Sequence, residues 1–391
     1  MKYLKDLDVN NKTVLVRVDF NVPIKDGVVT DNNRIKASLE TINYLLEKGA
    51  KVILMSHLGK VKTEEDKVKN DMKYVVGEVS RLLNREVKFS FSPVGEELEN
   101  LIKNLTSGEV LLVQNTRWLD LDGKLESGCD ENLSKYWASL VDCYVMDAFG
   151  SAHRAHASTC GVAKYTESAI GPLMMREMTM LDEVIEAENK IAILGGAKAE
   201  DKIKMIDNLA PKSKYILIGG LMSAPFLSVK GYNTGACAFS EEAFNEAKML
   251  LEKYGDKIVL PVDFITAKSE EAETVVKDIE SFENDDLQFD VGPKTIELFK
   301  EKLFESTMIF WNGPLGLFEN PKYEKGALEI LELLSDFNAK VILAGGDTGN
   351  AAKKMGLDSL FVISTGGGAS LEYLGGDLFP ILEVLGVKKK N

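Results

Sequence analysis

Short apolar runs alternate along this chain with longer segments of helical hydrophobic period. The alternation is typical of repeated βα units wound around a parallel sheet. Runs rich in Val, Ile and Leu predict strands over residues 13–18, 51–55, 86–89, 109–113 and 142–146, and then over 190–194, 215–218, 257–262, 308–311, 341–344 and 360–363. These are too many buried strands for one open sheet. The pattern therefore predicts an α/β protein with two doubly wound, Rossmann-like parallel-sheet lobes.

The predicted boundary between the lobes is the segment Ser168–Pro172. Pro172 suits the first turn of a helix that runs to about Ala187. Such a helix would connect the lobes rigidly and hinge at its ends. We therefore predict a first domain over 1–167 and a second over 168–375, with the acidic stretch 269–290 as a weakly structured excursion within the second.

Composition limits the kinds of partner and the cellular compartment that can be expected for the two lobes. The 391 residues carry a formal net charge of −14, which disfavours a general nucleic-acid binder. The four cysteines lack CxxC spacing, so we expect reduced thiols in a reducing compartment, the cytoplasm. No signal peptide and no apolar run of roughly 18 residues is present, so no membrane association is expected.

Basic side chains follow four successive strands of the first lobe. The segments are Asp19–Asn21, Ser56–Lys60, Asn115–Arg117 and Ala148–His156, and Arg34 comes soon after the first. Since ligands bind at the carboxyl ends of parallel strands, these segments would converge three arginines, three histidines and a lysine. A single arginine or histidine at such a place is usually structural. Four together predict a site for a small polyanion such as a phosphorylated carboxylic acid.

The second lobe ends its strands with glycine instead. Glycine pairs or triplets occur at 195–196, 219–220, 345–346 and 366–368, and Gly313 follows a further strand. Glycine lets phosphates approach the backbone and leaves N–H groups free to donate. A tight βα turn needs glycine anyway, so each case alone is weak evidence. Their repetition predicts a nucleotide-binding lobe.

Familiar nucleotide motifs are absent from the sequence. There is no G-x-x-x-x-G-K-[ST] and no protein-kinase H-R-D and D-F-G pair. Residues 344–349 approach G-x-G-x-x-G, but the acidic residue expected about twenty positions later is missing. A P-loop NTPase is excluded, and a nicotinamide dehydrogenase is a poor second interpretation.

Phosphoryl transfer requires positive charge on the moving group and a magnesium ligand. Lys198 and Lys202 are four residues apart and would face one side if a helix begins at Lys198; otherwise they are surface lysines. Asp347 would either reach a metal ion that bridges phosphates or cap a helix. The segment 365–370 would direct N–H groups at an anion.

These residues amount to a recognisable set. The chain resembles the phosphoglycerate kinase family from Val14 to about Leu385, most specifically in Arg17-Val-Asp-Phe-Asn-Val-Pro23, Ser56-His-Leu-Gly59, Asp147-Ala-Phe-Gly-Ser-Ala-His-Arg-Ala-His-Ala-Ser158, Leu194-Gly-Gly-Ala-Lys198, Trp311-Asn-Gly-Pro314 and Ile363-Ser-Thr-Gly-Gly-Gly-Ala-Ser-Leu-Glu372. The resemblance implies reversible phosphoryl transfer from 1,3-bisphosphoglycerate to MgADP, which gives 3-phosphoglycerate and ATP in glycolysis. It also implies a monomer whose lobes close about a hinge, and a C-terminal tail, 376–391, that packs on the first lobe.

The resemblance assigns roles residue by residue. Substrate would bind to Asp19, Asn21, Arg34, His57, Lys60, Arg117, His153 and Arg154. Nucleotide would bind to Gly196, Lys198, Lys202, Gly220, Asn312, Glu319, Gly346, Asp347, Thr348, Gly366, Gly367 and Gly368. Arg34, Lys198 and Gly367 would act in catalysis, and Asp347 would hold Mg²⁺. His156 is expected to be a packed residue behind the site.

Three of the departures from the family pattern in the nucleotide lobe bear on nucleotide affinity. They are Glu200, which adds a negative charge between the two lysines, Leu221, which would narrow the adenine pocket, and Ala344, which replaces a glycine. These departures leave a second hypothesis open: a catalytically weakened paralogue that binds triose phosphate with altered nucleotide affinity.

Overall fold

A computed structural model describes residues 1–121 and 123–388 of the chain. Met1–Thr179 and the segment from Leu378 onwards form one unit, and Met180–Asp377 form another. The division falls inside a helix, Pro172–Glu186, which the sequence predicts over nearly the same span. It therefore lies later in the chain than the boundary predicted at Ser168.

The first unit is built on a six-stranded parallel sheet. Its strands, with a short hairpin, are β1 (Thr13–Arg17), β2 (Ile24–Lys25), β3 (Val28–Val29), β4 (Lys51–Met55), β5 (Val87–Ser90), β6 (Val110–Val113), β7 (Cys143–Met146) and β8 (Glu167–Ile170). The sheet order is β5-β6-β4-β1-β7-β8, and β2 pairs only with β3. Because helices cover both faces, β6 and β7 are buried at every position.

The sixth strand of this sheet, β8, is absent from the sequence-based prediction. It pairs in parallel with β7, with Tyr144 opposite Ser168. Its sequence, Glu-Ser-Ala-Ile, lacks the run of branched apolar residues that predicts a buried strand. Treating Ser168 as a domain boundary was therefore wrong, because the residue lies in the edge strand of the first sheet.

Helices complete the first unit: α1 (Asn33–Ala37), α2 (Leu39–Glu47), α3 (Glu64–Lys69), α4 (Lys73–Leu83), α5 (Glu96–Lys103), α6 (Glu131–Ser139) and α7 (Phe149–Ala152). The next helix, α8 (Pro172–Glu186), leads out of this unit. The carboxylate of Asp147, directly after β7, accepts from the backbone N–H groups of Leu173 (2.9 Å) and Met174 (3.1 Å). This contact satisfies two N–H groups in the first turn of α8.

The second unit has its own six-stranded parallel sheet. Its strands, with those of a smaller sheet, are β9 (Lys190–Leu194), β10 (Ser213–Ile218), β11 (Ile258–Val259), β12 (Asp263–Ala267), β13 (Val275–Asp278), β14 (Leu287–Val291), β15 (Met308–Asn312), β16 (Lys340–Ala344) and β17 (Val362–Ser364). The order β11-β10-β9-β15-β16-β17 is that of a doubly wound dinucleotide-type sheet. The predicted fold class is confirmed, with two such sheets.

The helices of this unit are α9 (Ile203–Leu209), α10 (Ser223–Val229), α11 (Glu241–Tyr254), α12 (Pro293–Leu303), α13 (Lys325–Ser335), α14 (Gly346–Lys354) and α15 (Gly368–Leu374). After them, α16 (Pro380–Val384) belongs to the first unit. Across residues 1–121 and 123–388, no helix is both long enough and apolar enough to cross a bilayer.

The acidic stretch 269–290 is more ordered than its sequence suggests. Strands β13 and β14 pair antiparallel with β12 in a three-stranded sheet. Lys268 and Lys277 form ion pairs with Asp286, which offsets the repulsion among the acidic side chains. The prediction of a weakly structured excursion was therefore wrong, because long-range pairing with β12 is invisible in local composition.

Candidate functional site

The basic segments of the first unit lie at one edge of its sheet. Strands β6, β4, β1 and β7 are neighbours and parallel, so their carboxyl ends share that edge. The register places Arg17, the last residue of β1, opposite both Met55 and Met146. The segments that follow these positions are those in which the sequence predicts basic ligand-binding residues. The predicted convergence of strand ends therefore occurs within this unit.

A buried arginine organises this edge. The Nε atom of Arg17 donates to Ser158 Oγ at 2.8 Å, and its Nη2 atom lies 3.1 Å from His57 Nδ1. Nη1 donates to the carbonyl oxygen of Val18. Ser158 in turn donates to the carboxylate of Glu126, both from its hydroxyl and from its backbone N–H at 2.9 Å. Arg17 and Glu126 are fully buried, so each charge offsets the desolvation of the other.

Sequence reasoning missed Arg17 and Glu126 as site residues. Arg17 ends an otherwise apolar strand, and a charge in that place was the available signal. Glu126 gives no signal, because it lies in a polar turn that resembles any surface loop. Burial raises the pKa of Glu126, whereas the charge of Arg17 opposes that shift.

The segment after β1 is held by its own polar side chains. Asp19 accepts from Nη1 of Arg34, a residue of α1, at 2.6 Å. This ion pair fixes the Arg34 guanidinium next to the sheet edge. Asn21 accepts from the backbone N–H of Gly59 at 2.9 Å. Ser56 Oγ accepts from the backbone N–H of Phe20 at 2.8 Å. The loops after β1 and β4 are therefore joined to each other.

The loop after β6 presents Arg117. Its backbone N–H donates to Asn115 Oδ1 at 3.1 Å, and its guanidinium lies 3.5 Å from the Asp120 carboxylate. The Nε–H of Arg117 is buried and has no hydrogen-bond partner among the described residues. An unsatisfied buried donor is costly, so this atom is suited to an anionic ligand. Lys60, by contrast, is exposed, and its backbone carbonyl accepts from Asn70.

The histidine–arginine segment follows α7. His153 Nε2 accepts from Arg154 Nε at 3.1 Å, and the His153 ring lies 6.3 Å from the ring of Phe379 in the C-terminal segment. His156 is buried, and its Nδ1 atom lies 3.9 Å from Glu126. His153 is thus half-buried and Arg154 is exposed, whereas His156 is buried, as expected for a packed residue.

Positive charge surrounds all three histidines. Burial lowers the pKa of His57 well below its usual value, and Arg17, Arg117, Arg154 and Arg34 lower it further. Burial and Arg154 lower the pKa of His153 to about 4. Burial, followed by Arg117, lowers the pKa of His156 to about 3. Neutral imidazoles within a group of arginines make a site that attracts an anion and contains no strong base.

Glycine turns of the second unit bring backbone segments into close contact. The backbone N–H of Gly196 donates to the carbonyl oxygen of Pro314 at 2.8 Å. A Cβ atom at Gly195 would lie 2.0 Å from that same oxygen. Gly220 has φ +64°, and a Cβ atom there would lie 2.7 Å from Gly196 N. Close backbone packing therefore requires glycine at positions 195 and 220. This agrees with the alternative interpretation, in which a glycine pair serves only a tight βα turn.

The two lysines after β9 have different environments. Lys198 is exposed and lies in the loop after β9, ahead of the 3-10 turn Glu200–Lys202, and α9 begins only at Ile203. Lys202 is buried, within 3.4 Å of the Cβ position of Gly196. No helix begins at Lys198, so the condition under which both ammonium groups would share a helix face is not met. Lys198 is a surface lysine, as the alternative allows, whereas Lys202 is buried.

The loops after β15 and β16 are joined by two hydrogen bonds. Asn312 Nδ2 donates to the carbonyl oxygen of Ala344 at 2.9 Å, and the backbone N–H of Gly313 donates to Thr348 Oγ1 at 3.0 Å. Gly345 is the N-cap of α14, so the alternative role of Asp347 as the cap was wrong. Asp347 and Gly346 lie exposed in the first turn of that helix.

The glycine triplet after β17 leads into α15. Gly367 has φ +56° and is the N-cap residue, and Gly368 begins the helix. A Cβ atom on either would meet nothing within 4 Å. The backbone N–H of Gly366 donates to Ser364 Oγ at 3.2 Å. Space for a ligand therefore lies over Gly367 and Gly368.

A cavity of about 290 Å³ lies in the second unit. Five predicted or questioned residues line it, namely Gly196, Gly220, Leu221, Glu319 and Asp347. The apolar side chains of Phe264, Leu287 and Phe289 supply much of the rest. Sequence reasoning missed these three: Leu287 and Phe289 lie in the stretch that it took for a weakly structured excursion, and Phe264 lies before that stretch, in β12.

Gln288 is a further lining residue that the sequence did not reveal. Its Nε2 atom donates to the carbonyl oxygen of Gly220 at 2.8 Å, which fixes the orientation of the amide. Its Oε1 atom is buried and has no hydrogen-bond partner in the part of the chain that the structure describes. Gln288 therefore holds the Gly220 turn, and its Oε1 atom is an unsatisfied acceptor at the cavity wall.

The three residues of this unit that depart from the family pattern, Glu200, Leu221 and Ala344, lie in different environments. Glu200 accepts from Ser240 Oγ at 2.7 Å, and this hydrogen bond lowers the pKa of the carboxyl group. Leu221 is 43% exposed and lines the cavity. Ala344 is fully buried at the end of β16.

Asp347 fits a magnesium ion better than the one acidic cluster with metal-like spacing among the described residues. That cluster, Glu283, Asp285 and Asp286, is already paired with lysines. Asp347 offers one exposed carboxylate at the cavity. Mg²⁺ commonly takes one or two protein carboxylates and completes its shell with nucleotide phosphates and water.

Comparison with known proteins finds relatives that match nearly the whole chain. A family model described as phosphoglycerate kinase matches residues 4–377. Phosphoglycerate kinases from Listeria welshimeri and Staphylococcus aureus are 48% and 46% identical, over 97% and 99% of both chains respectively. The solved phosphoglycerate kinases of Coxiella burnetii and Pyrococcus horikoshii have TM-scores of 0.84 and 0.86, at 33% and 31% identity, and each comparison covers at least 98% of both chains.

The depressed histidine pKa values predict an acid-side loss of stability. The unfolded chain binds protons on its histidines below about pH 6.5, whereas the folded chain does not, so stability falls as pH drops through that value. The imidazole carbon-bound proton resonances of this protein, which has three histidines, should not titrate between pH 8 and 5.5. A His57 resonance with a midpoint near 6.5 would contradict the proposed environment.

Proposed function

The chain belongs to the phosphoglycerate kinase family, and we propose that its first unit binds the phosphorylated acid while its second binds the nucleotide. The reaction is the reversible transfer of a phosphoryl group from 1,3-bisphosphoglycerate to ADP, which gives 3-phosphoglycerate and ATP. The hypothesis of a weakened paralogue is not favoured. The observation that carries the assignment of sites is the contrast between arginines around neutral histidines in one unit and a glycine-lined apolar cavity in the other.

In the first unit, the proposed ligands of the triose are Asp19, Asn21, Arg34, His57, Lys60, Arg117, His153 and Arg154. The free Nε–H of Arg117 supports a phosphate or carboxylate contact. Asp19 is suited to hold Arg34 and to accept from a substrate hydroxyl, since a carboxylate repels phosphate. Lys60 is the least supported of the set, because its exposed side chain has no fixed place at the sheet edge.

In the second unit, the base would lie in the apolar cavity and the phosphates over the glycine turns. Glu319 at the cavity lining is placed to accept from ribose hydroxyls. The proposed phosphate contacts are Gly196, Lys198, Lys202, Gly220, Asn312, Gly346, Thr348, Gly366, Gly367 and Gly368. Asn312 and Thr348 would act through the loop geometry they hold, because their side chains already bond to neighbouring backbone.

Transfer breaks the bond between the acyl oxygen and phosphorus and forms a bond from phosphorus to a β-phosphate oxygen of ADP. No proton needs to move, because the attacking β-phosphate oxygen is already an anion and the acyl oxygen leaves as part of a carboxylate. Mg²⁺, held by Asp347, would neutralise phosphate charge. Arg34, Lys198 and the Gly367 amide would stabilise the charge on the moving group, which is the main task in phosphoryl transfer.

The net charge, the free cysteines and the location of the proposed ligands support activity as a monomer in the cytoplasm. The net charge of −14 gives a strongly solvated surface, and all four cysteines are free thiols. Each unit carries its proposed ligands on its own chain segments, so neither needs a residue from a second copy.

Replacing Lys198 with alanine should lower kcat by about 10²- to 10³-fold, the usual cost of losing one group that stabilises transition-state charge. The measurement is a coupled assay with 3-phosphoglycerate and ATP in the presence of Mg²⁺. Lys248→Ala is a matched control, because Lys248 is an exposed lysine of α11 and does not line the cavity. Turnover at the wild-type rate in Lys198→Ala would remove Lys198 from the mechanism.

Replacing Gln288 with leucine should raise the Kd for ADP about fivefold, since it removes a hydrogen bond worth about 1 kcal/mol that holds the Gly220 turn. Calorimetric titration with ADP measures this. Binding of 3-phosphoglycerate, which belongs to the other unit, should be unchanged. If ADP binds to Gln288→Leu as tightly as to the wild type, the base does not use this cavity wall.

A further inference from the structure

Two of the four cysteines lie side by side in the first unit. The Sγ atoms of Cys129 and Cys160 are 3.9 Å apart, and both are free thiols. A disulfide has an S–S distance of about 2.05 Å, so the sulfurs need to approach by roughly 1.9 Å.

The two thiols come from different segments that already pack together. Cys129 lies in the turn before α6 with φ +53°, and its backbone N–H donates to the carbonyl oxygen of Glu126 at 3.1 Å. Cys160 lies in the π-helical turn Ala157–Gly161, and its Sγ atom also contacts the carbonyl oxygen of His156 at 3.7 Å. A Cβ atom at Gly161 would lie 3.2 Å from Cys129 Sγ, so the glycine leaves room for that thiol.

The environments of the cysteines differ in chemical reactivity. A hydrogen bond from Cys160 is the main cause that lowers the pKa of Cys129 to about 7; burial opposes it and the charge of Lys164 assists. Burial raises the pKa of Cys143 to about 11, and it raises that of Cys237 as well. Because the thiolate is the nucleophile, Cys129 is the reactive thiol at neutral pH. It is also partly exposed, whereas the other three are buried.

We propose that Cys129 and Cys160 form a dithiol site that reacts with hydroperoxides and closes to an intramolecular disulfide. The Cys129 thiolate attacks a peroxide oxygen and breaks the O–O bond, which gives a sulfenic acid and hydroxide. The Cys160 sulfur then attacks the Cys129 sulfur and breaks its S–O bond, and its proton leaves with the hydroxyl as water. Two thiols and one hydrogen peroxide thus give one disulfide and two waters, with two electrons passing from sulfur to oxygen.

The first step prepares the second. The pKa of Cys160 is raised chiefly by its hydrogen bond to Cys129, and burial and the Cys129 charge add to this. Conversion of Cys129 to a neutral sulfenic acid removes that charge and changes that hydrogen bond. The Cys160 thiol then loses its proton more easily, at the moment when it is needed as the nucleophile.

The disulfide would act on the edge of the sheet that carries the basic residues. Cys129 shares its turn with Glu126, and Cys160 shares its turn with Ser158, so the thiols and the buried Glu126–Ser158 contact join the same two segments. Ser158 accepts from Arg17, which contacts His57. Drawing the sulfurs together shifts the segments that position these groups. This consequence rests on the proposed triose site, whereas the thiol chemistry does not.

The chemistry is tested on the full chain, reduced, freed of reductant and treated with a few equivalents of hydrogen peroxide. Mass analysis of unreduced peptides should show a loss of about 2 Da and a peptide that links Cys129 to Cys160, both reversed by dithiothreitol. The link should be absent in Cys129→Ser and retained in the matched control Cys143→Ser. Conversion of Cys129 to sulfinic acid without a link, or prior oxidation of Cys143 or Cys237, would overturn the proposal.

The consequence for the site is tested on the fully oxidised protein. We expect the KM for 3-phosphoglycerate to rise several-fold, the KM for ATP to stay constant, and the reduced value to return with dithiothreitol. An unchanged KM for 3-phosphoglycerate would overturn the coupling. Absence of activity in both redox forms would instead overturn the proposed function, and the peptide result would stand apart from it.

Discussion

The first unit depends on one buried interaction, the contact of Arg17 with Ser158 and, through it, with Glu126. Taking a guanidinium and a carboxylate out of water costs several kcal/mol each unless they are paired and hydrogen-bonded. Here the serine hydroxyl bridges them, and Val18 accepts a further Arg17 N–H. The pair therefore fixes the geometry of the sheet edge. His57 contacts the same guanidinium, so this network also positions the His57 ring.

The two proposed binding sites are built from different groups. In the first, arginines from several loops surround neutral histidines, and the carboxylate of Asp19 aligns Arg34. In the second, the glycine turn after β17 leaves open space over Gly367 and Gly368, and an apolar cavity lined in part by Gly196 and Gly220 suits a base. The difference suits the proposed ligands, because a nucleotide offers a ring to bury, whereas 3-phosphoglycerate offers charged groups and a hydroxyl.

The sequence predicted the two parallel sheets and the strand-end residues, because both rest on local signals: apolar runs and the polar or glycine residues that follow them. It failed where structure depends on distant partners. Strand β8 is formed by pairing with β7, the 269–290 region by pairing with β12, and the role of Glu126 by burial against Arg17. It also left open whether a helix begins at Lys198, and in the structure the first helical turn begins at Glu200 and α9 at Ile203.

The most direct test of this account is the binding of both ligands to Glu126→Gln, measured by calorimetry. The substitution keeps the shape of the side chain and removes the charge that balances Arg17. The account predicts that the Kd for 3-phosphoglycerate rises about tenfold, equivalent to about 1.4 kcal/mol, while the Kd for ADP is unchanged. Unaltered affinity for 3-phosphoglycerate, or an equal loss of affinity for both ligands, would contradict it.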